Sequence, residues 1–234
     1  MARNFNLLFS NTNMRKILPI LLLIPFALIA QNTFDDKDAT ALLKASSAKY
    51  KSFASIAADF TLTTISPKRN PTDADAKYTQ IQKGKVHLKG NKFKLSLMGN
   101  DMICDGKNIW TIIAKSKECQ LNDYEESKEF FSPTKIFNLY ENGFAYQTKE
   151  KKELKGRKIT IIEMTPTNKK VSFFKIDAGI DETTKEILEI KVYEKNGTRY
   201  IYTLDKVNTD ISLTDSFFSF DSKLYPGLKI VDLR

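Results

Sequence analysis

Ile103-Cys104-Asp105-Gly106-Lys107-Asn108-Ile109-Trp110-Thr111-Ile112-Ile113 is the stretch whose reading decides the fold. Asp-Gly is a tight-turn signal, because both residues tolerate the positive φ angles that hairpin turns require. Met102 and Ile103 stand before it and residues 109–113 after it, types that suit a pleated, half-buried surface. The expected unit is a hairpin with Trp110, the only tryptophan, early in its second strand. A lone hairpin is marginal in water, so the rest of the chain must supply a sheet.

Going back from the hairpin, Phe93, Leu95 and Leu97 alternate with Lys92, Lys94 and Ser96, the pattern of a strand with one buried face. Lys89-Gly90-Asn91 is a turn, and residues 78–88 are the strand before it. A polar, proline-containing loop covers 66–77. Ahead of it Ala58, Phe60 and Leu62 alternate with Asp59, Thr61 and Thr63. Residues 35–50 read as a core-facing helix. Asp35, Asp36 and Asp38 stand at its positive end, and Ala39, Leu42, Leu43 and Tyr50 recur at roughly helical spacing.

Going forward, 119–124 is another short strand. Ser132-Pro133 opens a two-turn helix over 132–140, with serine as N-cap and proline at the first helical position. Its apolar members Ile136, Phe137, Leu139 and Tyr140 must cover something apolar. Strands resume over 144–148, 158–165, 171–177, 186–194, 199–206 and 217–220, with Asn196-Gly197 as a further hairpin turn. This amounts to about ten or eleven strands joined by short turns. The expected fold is mainly β: one large antiparallel sheet, strongly curled, with helices against it.

A chain of 234 residues with 41% hydrophobic and 28% charged residues can bury a sizeable core. The net charge is +9, but the basic residues are scattered among acids. No stripe or module for nucleic acid is present, so no nucleic-acid partner is expected. Met14-Arg15-Lys16, an apolar run over 17–29 and Ala30 have the form of a cleaved signal peptide over 14–30. The run falls short of the roughly 20 residues that span a bilayer. Residues 1–13 then precede the true start, and 31–234 form the mature domain in the periplasm. Cys104 and Cys119 fall on strands two apart, roughly 9–10 Å, beyond disulfide reach. Two free thiols packed as small apolar groups are expected.

Catalytic and metal chemistry finds little support. His87, the only histidine, lies inside a strand run. No G-x-S-x-G elbow, zinc spacing, Walker loop or G-x-G-x-x-G is present. Asp105 belongs to a turn. No catalytic residue, metal or cofactor is assigned. From the residues alone, the chain is an exported curled sheet whose apolar inner face either packs on helices or encloses a ligand.

Several short motifs, in order, resemble the periplasmic outer-membrane lipoprotein carrier proteins of the LolA type. They are Ala58-Asp59-Phe60 after an N-terminal helix, Gly84…Leu88-Lys89…Phe93, and Asp105-Gly106-Lys107-Asn108-Ile109-Trp110. Ser132-Pro133…Ile136-Phe137 and the terminal Phe218-Ser219-Phe220 complete the series. The resemblance implies an unclosed β-barrel of about eleven strands, capped by helices over a cavity for the acyl chains of lipidated proteins. It places Phe60, Leu62, Phe93, Leu95, Leu97, Met102, Trp110 and Ile112 in the cavity wall, with plain core packing as the alternative. Leu43, Ile136 and Phe137 would form the lid. Lys89 stands where the family has a lid-latching arginine, and Gly90 where it has proline. Lysine lacks the planar fork of arginine. The implied partners are lipidated proteins, an inner-membrane lipoprotein-releasing transporter and an outer-membrane acceptor, with the carrier a monomer. A lipid-binding sensor of the same fold and an exported hydrolase are the alternatives.

Overall fold

The computed structural model describes residues 36–67, 77–124, 133–137, 143–154 and 156–234. The expected leader over 14–30, the segment before it, most of the 66–77 loop, the Ser132 cap and the helix beyond 137 lie outside these residues.

Helix α1 (Lys37–Lys51) comes first. Its N-cap is Asp36, whose Oδ1 accepts from the Asp38 and Ala39 N–H groups at 3.0 Å. The Asp36 Oδ2 accepts from the Thr148 N–H at 2.7 Å, which ties the helix start to the sheet. The strands before the second helix are β1 (Ile56–Pro67), β2 (Lys77–Lys89), β3 (Lys92–Leu97), β4 (Asn100–Cys104), β5 (Asn108–Ile113) and β6 (Glu118–Asp123). Helix α2 (Pro133–Ile136) is a single turn. After it come β7 (Phe144–Leu154), β8 (Arg157–Pro166), β9 (Phe173–Asp181), β10 (Ile187–Glu194), β11 (Arg199–Thr209) and β12 (Lys229–Asp232).

All twelve strands form one sheet in the order β12-β6-β5-β4-β3-β2-β1-β11-β10-β9-β8-β7. β1 stands in the middle; β2–β6 build one half outward from it, whereas β7 lies at the far edge and β8–β11 build the other half inward until β11 pairs with β1. Inward residues of β1–β3 and of β8–β11 share a single core cluster with Ala39, Leu43 and Tyr50 of α1. The sheet curls around the helix without closing, an unclosed barrel.

The Asp-Gly hairpin joins β4 and β5 as expected. The Asp105 carboxylate accepts from the Lys107 and Asn108 N–H groups at 2.8 and 2.7 Å. Burial pushes that carboxyl up, but those N–H groups outweigh it and hold it below the usual range. Gly106 adopts φ +93°, which a side chain would strain. Cys104 and Cys119 are buried, and they belong to different core clusters.

The end of the chain departs from expectation. The strand expected at 217–220 is a 3-10 turn over Asp215–Phe218, with Phe218 buried. The last strand is instead β12, only four residues long, and it pairs with β6 in parallel. A meander of hairpins cannot make a parallel pair, because a parallel neighbour needs a crossover. Residues 215–228 provide it and cover the outer face of β4–β6, where Phe220, Tyr225 and Leu228 pack on a second cluster.

Candidate functional site: an apolar cavity beneath the second helix

Register builds the floor of the cavity from three cross-strand rows. Leu204, Phe60, Gly84 and Leu97 stand in line across β11, β1, β2 and β3. Ala58, Val86, Leu95 and Met102 form the next row, across β1–β4. Tyr202 and Leu62 form a third. Residues opposite each other point to one side of a sheet, so each row presents a continuous apolar surface. Gly84 is part of the construction: a Cβ there would lie 2.3 Å from the Phe60 Cζ. The Phe60 ring lies across the strand in the space that the missing side chain leaves.

Pro133, Ile136 and Phe137 roof this floor. Between roof and floor is a cavity of about 150 Å³, lined by Phe60, Leu62, Val86, Leu95, Leu97, Met102, Tyr202 and Leu204 besides the roof residues. None of these side chains is charged. Burial pushes the Tyr202 phenol up to about 12, so it is neutral at ordinary pH. Phe137 is 4% exposed, and its ring is 4.9 Å from that of Tyr50. On the other side of Phe137 lies a second space of about 250 Å³, edged by Tyr50, Phe53, Ile56, Leu88 and Thr134. Phe137 thus lines both spaces. The Tyr50 hydroxyl accepts from the Ile187 N–H at 3.1 Å, and burial raises its phenol to about 12.

Seven of the residues singled out by sequence stand around the cavity: Phe60, Leu62, Leu95, Leu97, Met102, Ile136 and Phe137. Five are placed elsewhere. Phe93 faces the same side but is 1% exposed in the packed core, edge-on to Tyr124 at 5.9 Å. Leu43 is wholly buried in the core that α1 forms with the sheet, rather than in the roof. Trp110 and Ile112 point to the opposite face. Met102 pairs with Thr111 and Cys104 with Ile109, so the odd-numbered positions of β5 share the cavity side. Trp110 instead stacks on Phe220 at 6.0 Å, and Ile112 packs with Ile103 and Cys119.

Lys89 also faces outward. Its Nζ donates to the Leu213 carbonyl at 2.8 Å and to Asp215 Oδ1 at 3.0 Å, while Lys92 reaches Asp215 Oδ2 at 2.9 Å. It holds the carboxy-terminal segment against the outside of the sheet and, among the described residues, makes no bond to the roof. Alternation already turns it away: Val86 and Leu88 face in, so Lys89 faces out.

Val86, Tyr202, Leu204 and Pro133 line the cavity without having been singled out. Their alternation marks an inward face, but only the pairing of β1 with β11 brings Tyr202 and Leu204 to the same floor. His87 is on the outer face, 4.9 Å from the Phe217 ring. Burial, then the nearby Lys85 and Lys94, push its imidazole below the ordinary value. Among the described residues, no three His, Cys, Asp or Glu side chains gather in a way that could hold a metal ion.

The sequence profile of the outer membrane lipoprotein carrier protein LolA matches residues 51–221. Curated proteins include no match to the sequence. Among solved structures, the chain is similar to an uncharacterised conserved protein from Thermus thermophilus. The TM-score is 0.52 at 10% identity, over 83% of this chain and 99% of that one. A LolA superfamily protein from Nitrosomonas europaea is similar at a TM-score of 0.41 and 12% identity, over 78% and 97% of the two chains. Lipoprotein LppX from Mycobacterium tuberculosis is similar at 0.48 and 12%, over 76% and 98%. With the central hairpin, the second helix and strands β1–β11 inside the matched span, the chain belongs to the LolA family of outer membrane lipoprotein carrier proteins.

Proposed function

We propose that the protein is an exported, non-catalytic carrier of lipidated proteins. It takes their acyl chains beneath α2, from an inner-membrane releasing transporter, and passes them to an acceptor at the outer membrane. The observation that carries this reading is the cavity itself: an uncharged, predominantly apolar space between sheet and helix, in a chain of this family.

Size decides how the cavity must work. About 150 Å³ holds a group of roughly benzene size, whereas ligand sites run from about 300 Å³ upward. A fatty acyl chain therefore needs the roof to move. Displacing Phe137 would join the cavity to the space beside Tyr50 and bring the total into the ligand range. Each methylene taken from water into the joined space contributes about 0.8 kcal/mol, which offsets the loss of the Phe137 contacts after a few carbons.

The test is incubation of the mature protein with inner-membrane vesicles that hold lipoproteins and a releasing transporter. Soluble one-to-one complexes with lipidated protein, and their transfer to outer-membrane vesicles, are expected. Mass spectrometry of material co-purified from the native host should find acylated protein. Acyl binding without release or transfer would make the protein a lipid sensor, and no acyl binding would end the reading.

A further inference from the structure

Strand β2 is thirteen residues long, but β3 covers only part of it. β3 pairs with it only from Gly84 to Lys89, whereas β1 pairs with it from Lys77 to Leu88. Residues 77–83 therefore have one unpaired backbone edge among the described residues. An unpaired edge offers a row of N–H and C=O groups to any extended chain, and proteins ordinarily blunt such edges. The two ends of this sheet are blunted. β7 carries Lys149-Glu150-Lys151-Lys152-Glu153 and a register shift between Thr148 and Glu150. β12 is only four residues long. The β2 edge carries Lys77 and Lys83 at its two ends only: Tyr78-Thr79-Gln80-Ile81-Gln82 between them is uncharged, and Tyr78 and Ile81 are 59% and 67% exposed.

The open edge begins where the cavity wall ends. Gly84 pairs with Leu97, the last residue of β3 and part of the cavity wall. Gln82 stands opposite Leu62, another wall residue. A polypeptide anchored by its lipid in that cavity has this edge beside it as it leaves. We propose that residues 77–83 bind the extended polypeptide next to the lipid of the cargo, which adds to β2 as a strand in the place that β3 leaves open. The proposal rests on the acyl-carrier reading above. Main-chain pairing suits such a cargo, because it grips an extended chain with little regard to side chains. Seven residues of strand span roughly 23 Å, and about half of them direct their N–H and C=O to the open side.

The probes are palmitic acid and a synthetic peptide of six uncharged residues with a palmitoylated amino-terminal cysteine. Each competes with a fluorescent fatty acid, and amide exchange is followed across 77–83. The expected result is that both compete and that the lipopeptide binds at least tenfold more tightly. Only the lipopeptide should slow exchange in 77–83, and N-methylation of its alternate amides should abolish both the gain and the protection. Equal affinities with unchanged exchange would overturn the edge proposal and leave the acyl reading standing. Failure of both probes to compete would overturn both. Protection of 77–83 that rises with protein concentration and needs no ligand would assign the edge to a second copy of the chain, against the proposal.

Discussion

Replacing Leu95 by glutamate tests the cavity wall most directly. Leu95 lies in the middle of its row, between Val86 and Met102, and is only partly buried because it borders the empty space. In the unloaded protein a carboxylate at this position can keep water, since the cavity has room for about five molecules at roughly 30 Å³ each. The folded state then loses part of one leucine's burial, about 1–2 kcal/mol. Loading changes the position. The carboxylate must either lose its water to hydrocarbon or take a proton, and protonation is the cheaper route. Holding a glutamic acid of ordinary pKa, about 4.3, neutral at pH 7 costs about 3.7 kcal/mol, or roughly 500-fold in affinity.

This loss carries a sign in pH. The neutral form binds, so each unit of acidification between pH 7 and pH 5 should restore roughly tenfold, while the wild type stays flat over that range. The assay is fluorescent fatty-acid binding at pH 7, 6 and 5, with thermal unfolding on the same preparations. Phe93→Glu is the comparison: Phe93 is 1% exposed in the packed core, so that variant should lose most of its folded protein. Unfolding of Leu95→Glu to the same extent as Phe93→Glu would refute the cavity reasoning, as would unchanged binding by a folded Leu95→Glu.

Phe137→Ala should cost about 3 kcal/mol of stability, the low end for a buried phenylalanine, and should speed fatty-acid exchange by removing the ring that lines both spaces; stopped-flow rates equal to wild type would speak against that role. Lys89→Ala should leave fatty-acid affinity unchanged and quicken amide exchange over 213–218, because its partners are Leu213 and Asp215; lost affinity would return Lys89 to the roof. Burial pushes the Asp181 carboxyl up, but the Thr184 N–H, the Arg157 guanidinium at 2.5 Å and the Thr183 N–H outweigh it and hold it at about 2. The folded value lies below the unfolded one, so its contribution of about 2 kcal/mol is present above pH 4 and fades as pH falls toward 2. Asp181→Asn should therefore lower urea stability at pH 7 and give a shallower decline from pH 5 to pH 2.5; an unchanged acid profile would show that the carboxylate adds no linkage.

The curled sheet was legible because its signals are local. Asp105-Gly106 and Asn196-Gly197 announce hairpins, and Phe93, Leu95 and Leu97 alternate with polar neighbours over a whole strand. β12 was not legible: Lys229-Ile230-Val231-Asp232 is too short for a period, and its parallel partner lies more than a hundred residues earlier. Its predecessor misled for a related reason. Phe217-Phe218-Ser219-Phe220 has strand-forming residues, but the turn at Asp215–Phe218 sends Phe217 to His87, Phe218 into the interior and Phe220 to Trp110.

The cavity wall shows where alternation stops being informative. Within one strand it separates two faces, and on β3 the buried-core and charged faces could be told apart by composition alone. On β5 they could not, because Ile109, Trp110, Ile112 and Ile113 put large apolar groups on both faces. A pairing shift of one residue against β4 would exchange Thr111 for Trp110 beside Met102. The register is set by the hairpin, where the Asp105 N–H donates to the Asn108 carbonyl at 3.2 Å and its carboxylate takes the Lys107 and Asn108 N–H groups. That turn directs Trp110 outward, and the carboxy-terminal crossover then covers it with Phe220 and Tyr225. An apolar residue on both faces of β5 is thus the sequence's mark of a sheet covered twice, by α1 and α2 within and by the end of the chain without. The outer cover closes the β6 side of the sheet with a paired strand and, among the described residues, leaves the open edge of β2, with five uncharged residues between Lys77 and Lys83, beside the cavity.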